Sequence, residues 1–216
     1  MEILDEIYKS LQIGNVKLVE TKTREAIDNQ ITPEEILNKA LIASMEELGV
    51  KFRDGKVFLP EVMMAARAMQ AAMNILKPKL IETGVKPVGK AVIGTVKGDQ
   101  HDIGKNLVAI MMMGAGFEVI DLGIDVAPQK FIDAVKENDA QIIALSALLT
   151  TTMPQQAQVI EELKKAGLRE KVKVMIGGAP VSESYAKEIG ADAYTPDAGS
   201  AALKAKELIL EQVRKD

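Results

Sequence analysis

From Lys90 onward the sequence alternates short apolar runs with helical patterns, and this rhythm constrains the fold more than any other feature. AVIGTV (91–96) is followed by a helical pattern over 103–115, FEVIDLG (117–123) by one over 128–138, and QIIALSA (141–147) by one over 154–167. KVMIGG (173–178) precedes a pattern over 182–189, and ADAYT (191–195) precedes one over 199–214. Five strand–helix units predict an α/β fold with a doubly wound, five-stranded parallel sheet. Right-handed crossovers then place helices on both faces. Ligands of such sheets bind beyond the C-terminal strand ends, where strand order reverses. The loops 97–104, 122–128, 146–154, 177–182 and 195–199 are therefore the places to look.

Before this region everything reads as helix. Ile3, Leu4, Ile7, Tyr8 and Leu11 share one helical face. Thr32-Pro33-Glu34-Glu35 combines an N-cap threonine, a first-turn proline and a capping-box glutamate. Ile36, Leu37, Ala40, Leu41, Met45 and Leu48 follow at the spacing of a buried stripe. GVKFRDGKVF (49–58) reads as a loop, and a fourth helix starts near Leu59-Pro60. Four such helices with short connections predict a small bundle. The stretch 84–90, GVKPVGK, lacks periodicity and reads as a flexible linker. The domains expected are a helical cap over 1–86 and an α/β domain over 90–216.

Composition removes whole classes of function. Lys plus Arg is 27 against 31 Asp plus Glu, a net charge of −4, and aromatics are 3%. Neither charge nor stacking surface suits nucleic acid. Cysteine is absent, which excludes disulfides, zinc–thiolate sites, iron–sulfur clusters and a cysteine nucleophile. No apolar run approaches the roughly 20 residues of a membrane span. MEILDEIYKS has no basic segment of a signal peptide, so a soluble, cytoplasmic protein is expected. The charged ending, EQVRKD, reads as a solvated helix end.

The one histidine, His101, lies in Lys97-Gly98-Asp99-Gln100-His101-Asp102-Ile103-Gly104-Lys105-Asn106, on the expected ligand rim. A lone histidine is most often structural. Phosphate-binding readings of this loop fail. Five residues, not four, separate Gly98 from Gly104-Lys105, no Ser or Thr follows, and no G-x-G-x-x-G is present. Asp99 and Asp102 would also repel a pyrophosphate. A receiver-domain aspartate is missing where Ser146 ends the third strand, and no serine sits in a G-x-S-x-G elbow. Metal ligation fits better. A carboxylate that accepts one ring N–H orients an imidazole for a metal on the other nitrogen. A single histidine cannot hold a bare ion tightly, but it can fill one axial position of a metal already chelated by a macrocycle.

Asp99-x-His101-x-x-Gly104 resembles the D-x-H-x-x-G signature of cobalamin-binding proteins. Ser146-Ala147-Leu148 is similar to that family's S-x-L after the third strand, and Gly177-Gly178 to its Gly-Gly after the fourth. The N-terminal half, above all Asp54-Gly55-Lys56-Val57-Phe58-Leu59-Pro60-Glu61-Val62, resembles the helical cap of the methionine synthase cobalamin module and of small corrinoid proteins of anaerobic methyltransferase systems. The fold so implied is an N-terminal four-helix bundle cap plus a Rossmann-like (flavodoxin-like) domain.

The resemblance also implies roles. His101 coordinates cobalt from below in place of the cofactor's own dimethylbenzimidazole (base-off/His-on). Asp99 accepts the other ring N–H, and Thr152, four positions after Leu148, is the third relay member. Gly98, Gln100, Asp102 and Ile103 complete the lower loop, and Gly104 lets the first helix start close to the cofactor. Ser146, Leu148 and Thr150 line the slot for the detached nucleotide tail, which Gly177 and Gly178 leave unobstructed. Phe58, Leu59 and Val62 cover the methyl-bearing face. The implied function is methyl carriage. Co(I) cobalamin takes a methyl group from a substrate-specific methyltransferase and, as methyl-Co(III), donates it to a second methyltransferase whose acceptor is tetrahydrofolate or coenzyme M. A reductive activase is a further implied partner, and the chain is expected to be inert alone. Two alternatives stay open. One is the cobalamin-binding subunit of a mutase, although the sequence leaves no room for a substrate barrel. The other is a cobalamin-binding sensor, although no output module is visible.

Overall fold

A computed structural model describes residues 2–213. The described chain divides into two compact units. One comprises the residues up to Pro87 together with Gly114–Gly116, and the other Val88–Met113 and the chain from Phe117 onward.

In the helical unit, α1 (Glu2–Gln12) and α2 (Val16–Asp28) are followed by a long rod. α3 (Pro33–Glu35), a π-helical stretch (Ile36–Ile42) and α4 (Ala43–Arg53) run on without a break, because the residues at both junctions keep right-handed helical dihedrals. The Thr32 hydroxyl accepts the Glu35 N–H at 3.2 Å, as its N-cap sequence predicts. α5 (Leu59–Glu82) completes the four rods. Ile7, Leu11, Ile36, Leu41, Met45, Leu48, Val62 and Leu76 are almost wholly buried in this unit.

Two expectations need correction here. The stretch 49–58 is not all loop: α4 continues to Arg53. Gly49 is buried within that helix, so packing overrides its weak helix propensity, and the chain turns instead at Gly55, whose φ is 71°. Gly84 is not a free hinge. With φ at 72° and its N–H on the Ile81 carbonyl, it closes the C-terminus of α5, so proline there would break the cap rather than stiffen a linker.

The second unit is the expected alternation: β1 (Lys90–Thr95), α6 (Ile103–Gly114), β2 (Glu118–Asp121), α7 (Pro128–Asn138), β3 (Ile142–Ser146), α8 (Pro154–Lys165), β4 (Lys173–Gly177), α9 (Glu183–Ile189), β5 (Ala193–Tyr194) and α10 (Ala198–Val213). The strands are all parallel in the order β2-β1-β3-β4-β5. β5 shrinks to two residues of the expected five. The last residues of the charged ending, 214–216, lie outside the described residues.

Strands of a sheet covered on both faces are apolar throughout, which is why β1 and β3 read as unbroken apolar runs. Val92, Ile143 and Leu145 pack with Phe131 and Ile132 of α7 and Val159 and Ile160 of α8. The alternate residues Ile93 and Ala144 point to the opposite face, where they meet Ala109 of α6. Gly94 is set by this packing: a Cβ there would come within 2.8 Å of the Phe131 ring. The strand order reverses between β1 and β3. Thr95, Ser146 and Gly177 lie side by side in register at the C-terminal edge, directly beneath the His101 loop.

Candidate functional site

Asp99 is the hub of the site. It is completely buried, although it stands in a loop whose neighbours Gly98, Gln100, His101, Asp102, Ile103 and Gly104 are all exposed. A buried carboxylate must find donors, and this one finds five. Oδ1 accepts the His101 backbone N–H at 3.1 Å and faces the ring Nδ1 at 2.7 Å. Oδ2 accepts the N–H groups of Leu148 at 2.8 Å and Leu149 at 3.3 Å, and the Thr152 hydroxyl at 2.6 Å. The Leu149 carbonyl lies 2.9 Å from the same hydroxyl, whose single proton is better placed on the carboxylate. Burial pushes the Asp99 carboxyl up. The hydrogen bonds from Thr152, the His101 ring, Leu148 and the His101 N–H outweigh it and hold the group well below the usual carboxylate range.

This fixes the imidazole. An ionised carboxylate only accepts, so Nδ1 carries the proton that faces Asp99. Nε2 of the neutral ring is then left with its lone pair. Nε2 has no hydrogen-bond partner among the described residues, and the His101 side chain is 50% exposed. A ring oriented from behind with its second nitrogen bare can serve as a metal ligand.

The structure thus brings His101, Asp99 and Thr152 together across the mouth between β1 and β3. Leu148 joins them through its backbone, while its side chain is exposed. The methyl by which threonine exceeds serine is accommodated beside Gly98, where a Cβ would sit 3.7 Å from Thr152 Cγ2. Ser146 ends β3 half-buried, and Thr150 is exposed. Asp102 accepts the Asn106 side-chain N–H at 3.0 Å and thereby braces the first turn of α6. Phe58, Leu59 and Val62 belong to the other unit. Phe58 is exposed there and Leu59 half-buried, whereas Val62 is wholly buried in the bundle.

The glycines divide into two kinds. Gly178 is dictated by the chain itself: φ is 129°, and a Cβ would overlap the Ala147 carbonyl oxygen. Gly178→Ala is expected to destabilise the protein by at least about 2 kcal/mol, read from urea denaturation. Gly104 is the opposite case. It stands in α6, and a Cβ there would meet nothing within 4 Å. No atom of the described residues would crowd a side chain at 104, so its absence leaves room for something that approaches from outside. Gly104→Ala is therefore expected to raise the stability of the ligand-free protein by up to about 1 kcal/mol while weakening ligand binding.

Several participants carry no motif in the sequence. Thr95, fully buried at the end of β1, donates its hydroxyl to the His101 carbonyl at 2.8 Å. Gln156 is fully buried in α8. Its Nε2 spans the Leu145 and Gly177 carbonyls at 3.0 and 3.1 Å, and its Oε1 is buried without a partner. Lys105 is almost wholly buried and pairs with Asp121 at 2.5 Å. The only signal for these in sequence is their place at strand ends of a doubly wound sheet.

Two family models, both described as B12 binding domain, match residues 89–205 and 3–77. The chain is 50% identical over 192 residues to dimethylamine corrinoid protein 3 of Methanosarcina acetivorans, covering 88% of this chain and 90% of that protein. It is 43% identical over 207 residues to trimethylamine corrinoid protein 2 of Methanosarcina mazei, covering 95% of each. The structure resembles a chain of the methanol:cobalamin methyltransferase complex of Methanosarcina barkeri, with a TM-score of 0.87, 29% identity, and coverage of 97% of this chain and 80% of that one. The chain therefore belongs to the B12-binding corrinoid proteins. Its cofactor is cobalamin, as the motifs imply, and the residues fit it: a bare Nε2 backed by a carboxylate, and a glycine at 104 beside open space.

Proposed function

We propose that this protein carries methyl groups in an anaerobic methylamine methyltransferase system, with dimethylamine as the donor that the similarity to its relatives favours. The observation that carries the reading is the buried Asp99 carboxylate, which fixes the tautomer and direction of the single histidine. When bound, the corrinoid supplies a cobalt centre able to take up and give up a methyl group. His101 Nε2 would hold the cobalt in place of the cofactor's own base. Asp99 keeps the Nδ1 proton in place and stabilises positive charge on the ring. Thr152 is a further donor that holds Asp99 fixed. Ser146, Leu148, Thr150, Gly177 and Gly178 form the slot for the detached nucleotide, and the Gly177–Gly178 backbone is held there by the β3 edge. The helical residues 1–86 supply the cover of the reactive face through exposed Phe58 and half-buried Leu59, whereas Val62, wholly buried in the bundle, supports that cover only from within, and the α/β residues 90–216 grip the cofactor.

The partners in this reading are a substrate-specific methyltransferase, a second methyltransferase whose acceptor is tetrahydrofolate or coenzyme M, and a reductive activase. Both methyltransferases must reach one reactive face, so the cover has to move. With Gly84 and Val85 committed to the α5 cap and Gly89 bonded to Glu118, that movement falls to 86–88. The donor is tested by loading the reduced protein with cobalamin and offering it monomethylamine, dimethylamine, trimethylamine and methanol methyltransferases, each with its substrate. The fastest absorbance change is expected with the dimethylamine enzyme. Methylation by the methanol enzyme alone would overturn the donor assignment.

A further inference from the structure

The loop after β2 contains a residue whose conformation its own side chain does not favour. Asp125 has φ at 51°, in the left-handed region that glycine enters freely and aspartate enters at a cost. Glycine would serve the backbone there at least as well, so the carboxylate needs its own explanation. It has one in its contacts. Asp125 Oδ1 accepts the Gly98 N–H at 2.7 Å, and the Asp125 N–H donates to the Asp99 carbonyl at 2.9 Å. One residue thus holds both sides of the peptide that leads into Asp99.

The segment it holds is a tight turn. The Asp99 N–H bonds the Val96 carbonyl at 3.1 Å, and Gly98 has φ at 81°, the mark of a type II turn with Lys97 and Gly98 at its centre. Types I and II differ in the orientation of the central peptide, here Lys97–Gly98. Its N–H is the one that Asp125 captures. A side-chain oxygen accepting that N–H favours the type II form, whose central peptide turns it toward Asp125. The same strand end anchors the far side of the loop, since Asp121 pairs with buried Lys105 in the first turn of α6. Residues 121–125 therefore grip the histidine loop before Asp99 and after His101.

We propose that Asp125 is a positioning residue for cobalt ligation: by selecting the type II turn at Lys97–Gly98 it sets the Asp99 carboxylate, and through it the His101 ring, in the ligating orientation. The inference rests on the reading of His101 as the lower ligand. It is tested on the full chain produced with nitrogen-15 histidine and loaded with saturating Co(II) cobalamin, by the fraction of the electron paramagnetic resonance signal that shows the doublet splitting of a histidine nitrogen. D125A and D125G are expected to lose most of that fraction. D125N, whose side-chain oxygen can still accept the Gly98 N–H and which tolerates the left-handed backbone, is expected to retain most of it. Should D125A fail to fold, D125G decides alone, since it removes the same carboxylate and relaxes the backbone. An unchanged histidine-ligated fraction in D125G overturns the inference. A loss in D125N as large as in D125G also overturns it, by assigning the effect to charge rather than to the accepted hydrogen bond. A wild-type protein without the splitting overturns the reading of His101 as ligand, and this inference with it.

Discussion

Asp99→Ala will destabilise the ligand-free protein by about 3 kcal/mol or more. The substitution takes the shared acceptor from the part-buried Leu148, Leu149 and His101 N–H groups, each costing about 1 kcal/mol or more if left unpaired, and turns the Thr152 hydroxyl to the Leu149 carbonyl. The same change frees the His101 ring to rotate and to adopt either tautomer. Loss of such an orienting partner typically weakens metal binding by about 10–100-fold. Asp99→Asn separates the two effects, because an amide keeps much of the shape but cannot accept from every donor or balance a charged ring. The sign of the pH dependence follows from the direction of the Asp99 shift. Its carboxyl is lowered on folding, so its contribution to stability is complete above the unfolded carboxylate value of about 4 and is lost as the pH falls through the lower folded value. The stability difference between wild type and Asp99→Asn in the ligand-free protein should accordingly be constant near neutrality and shrink in acid. Urea denaturation between pH 7 and pH 3 reads this directly, and a difference that grows in acid would contradict it.

The second large effect is expected at His101. Its side chain is half-exposed and its only side-chain bond among the described residues is to Asp99, so His101→Ala should change the stability of the ligand-free protein far less than Asp99→Ala does. Cobalamin retention should behave in the opposite way and fall by at least about tenfold, by the same scale of ligand effects. A residue that matters little to the fold and much to the cofactor is what distinguishes a ligand from a core histidine. Equilibrium dialysis paired with thermal melting of the ligand-free variant checks both halves. If stability fell sharply while retention stayed at the wild-type level, the histidine would be structural.

The strands were legible because a doubly wound sheet buries both faces: AVIGTV and QIIALSA have to be apolar throughout, and the turns between them are polar. The hub residues were legible because Asp99, His101 and Gly104 stand close together in one loop. What lay hidden is long-range. Nothing near Thr95 in sequence announces that its hydroxyl will meet the His101 carbonyl. Asp125 likewise reaches Gly98 only because β2 lies beside β1. Gln156 looks like any polar residue of an amphipathic helix until α8 is laid over the ends of β3 and β4. Local signals misled where packing overruled them. Gly49 suggested a break, yet α4 passes through it to Arg53, and the π-helical stretch at Ile36–Ile42 has the same apolar stripe as an α-helix. Gly84 and Gly178 looked like a linker and a ligand-facing gap, but left-handed backbone at the α5 end and the crowding carbonyl of Ala147 explain them first.

Because the chain holds one histidine, its ligation can be tested without changing a single residue. The protein is produced with histidine labelled by nitrogen-15, loaded with ordinary Co(II) cobalamin, and compared with unlabelled protein by electron paramagnetic resonance. Each cobalt hyperfine line, a triplet from a nitrogen-14 ligand in the unlabelled protein, is expected to become a doublet in the labelled one, which assigns the ligating nitrogen to His101. A triplet that persists after labelling would mean that the cofactor's own base stays on the metal, and would contradict the account at its centre.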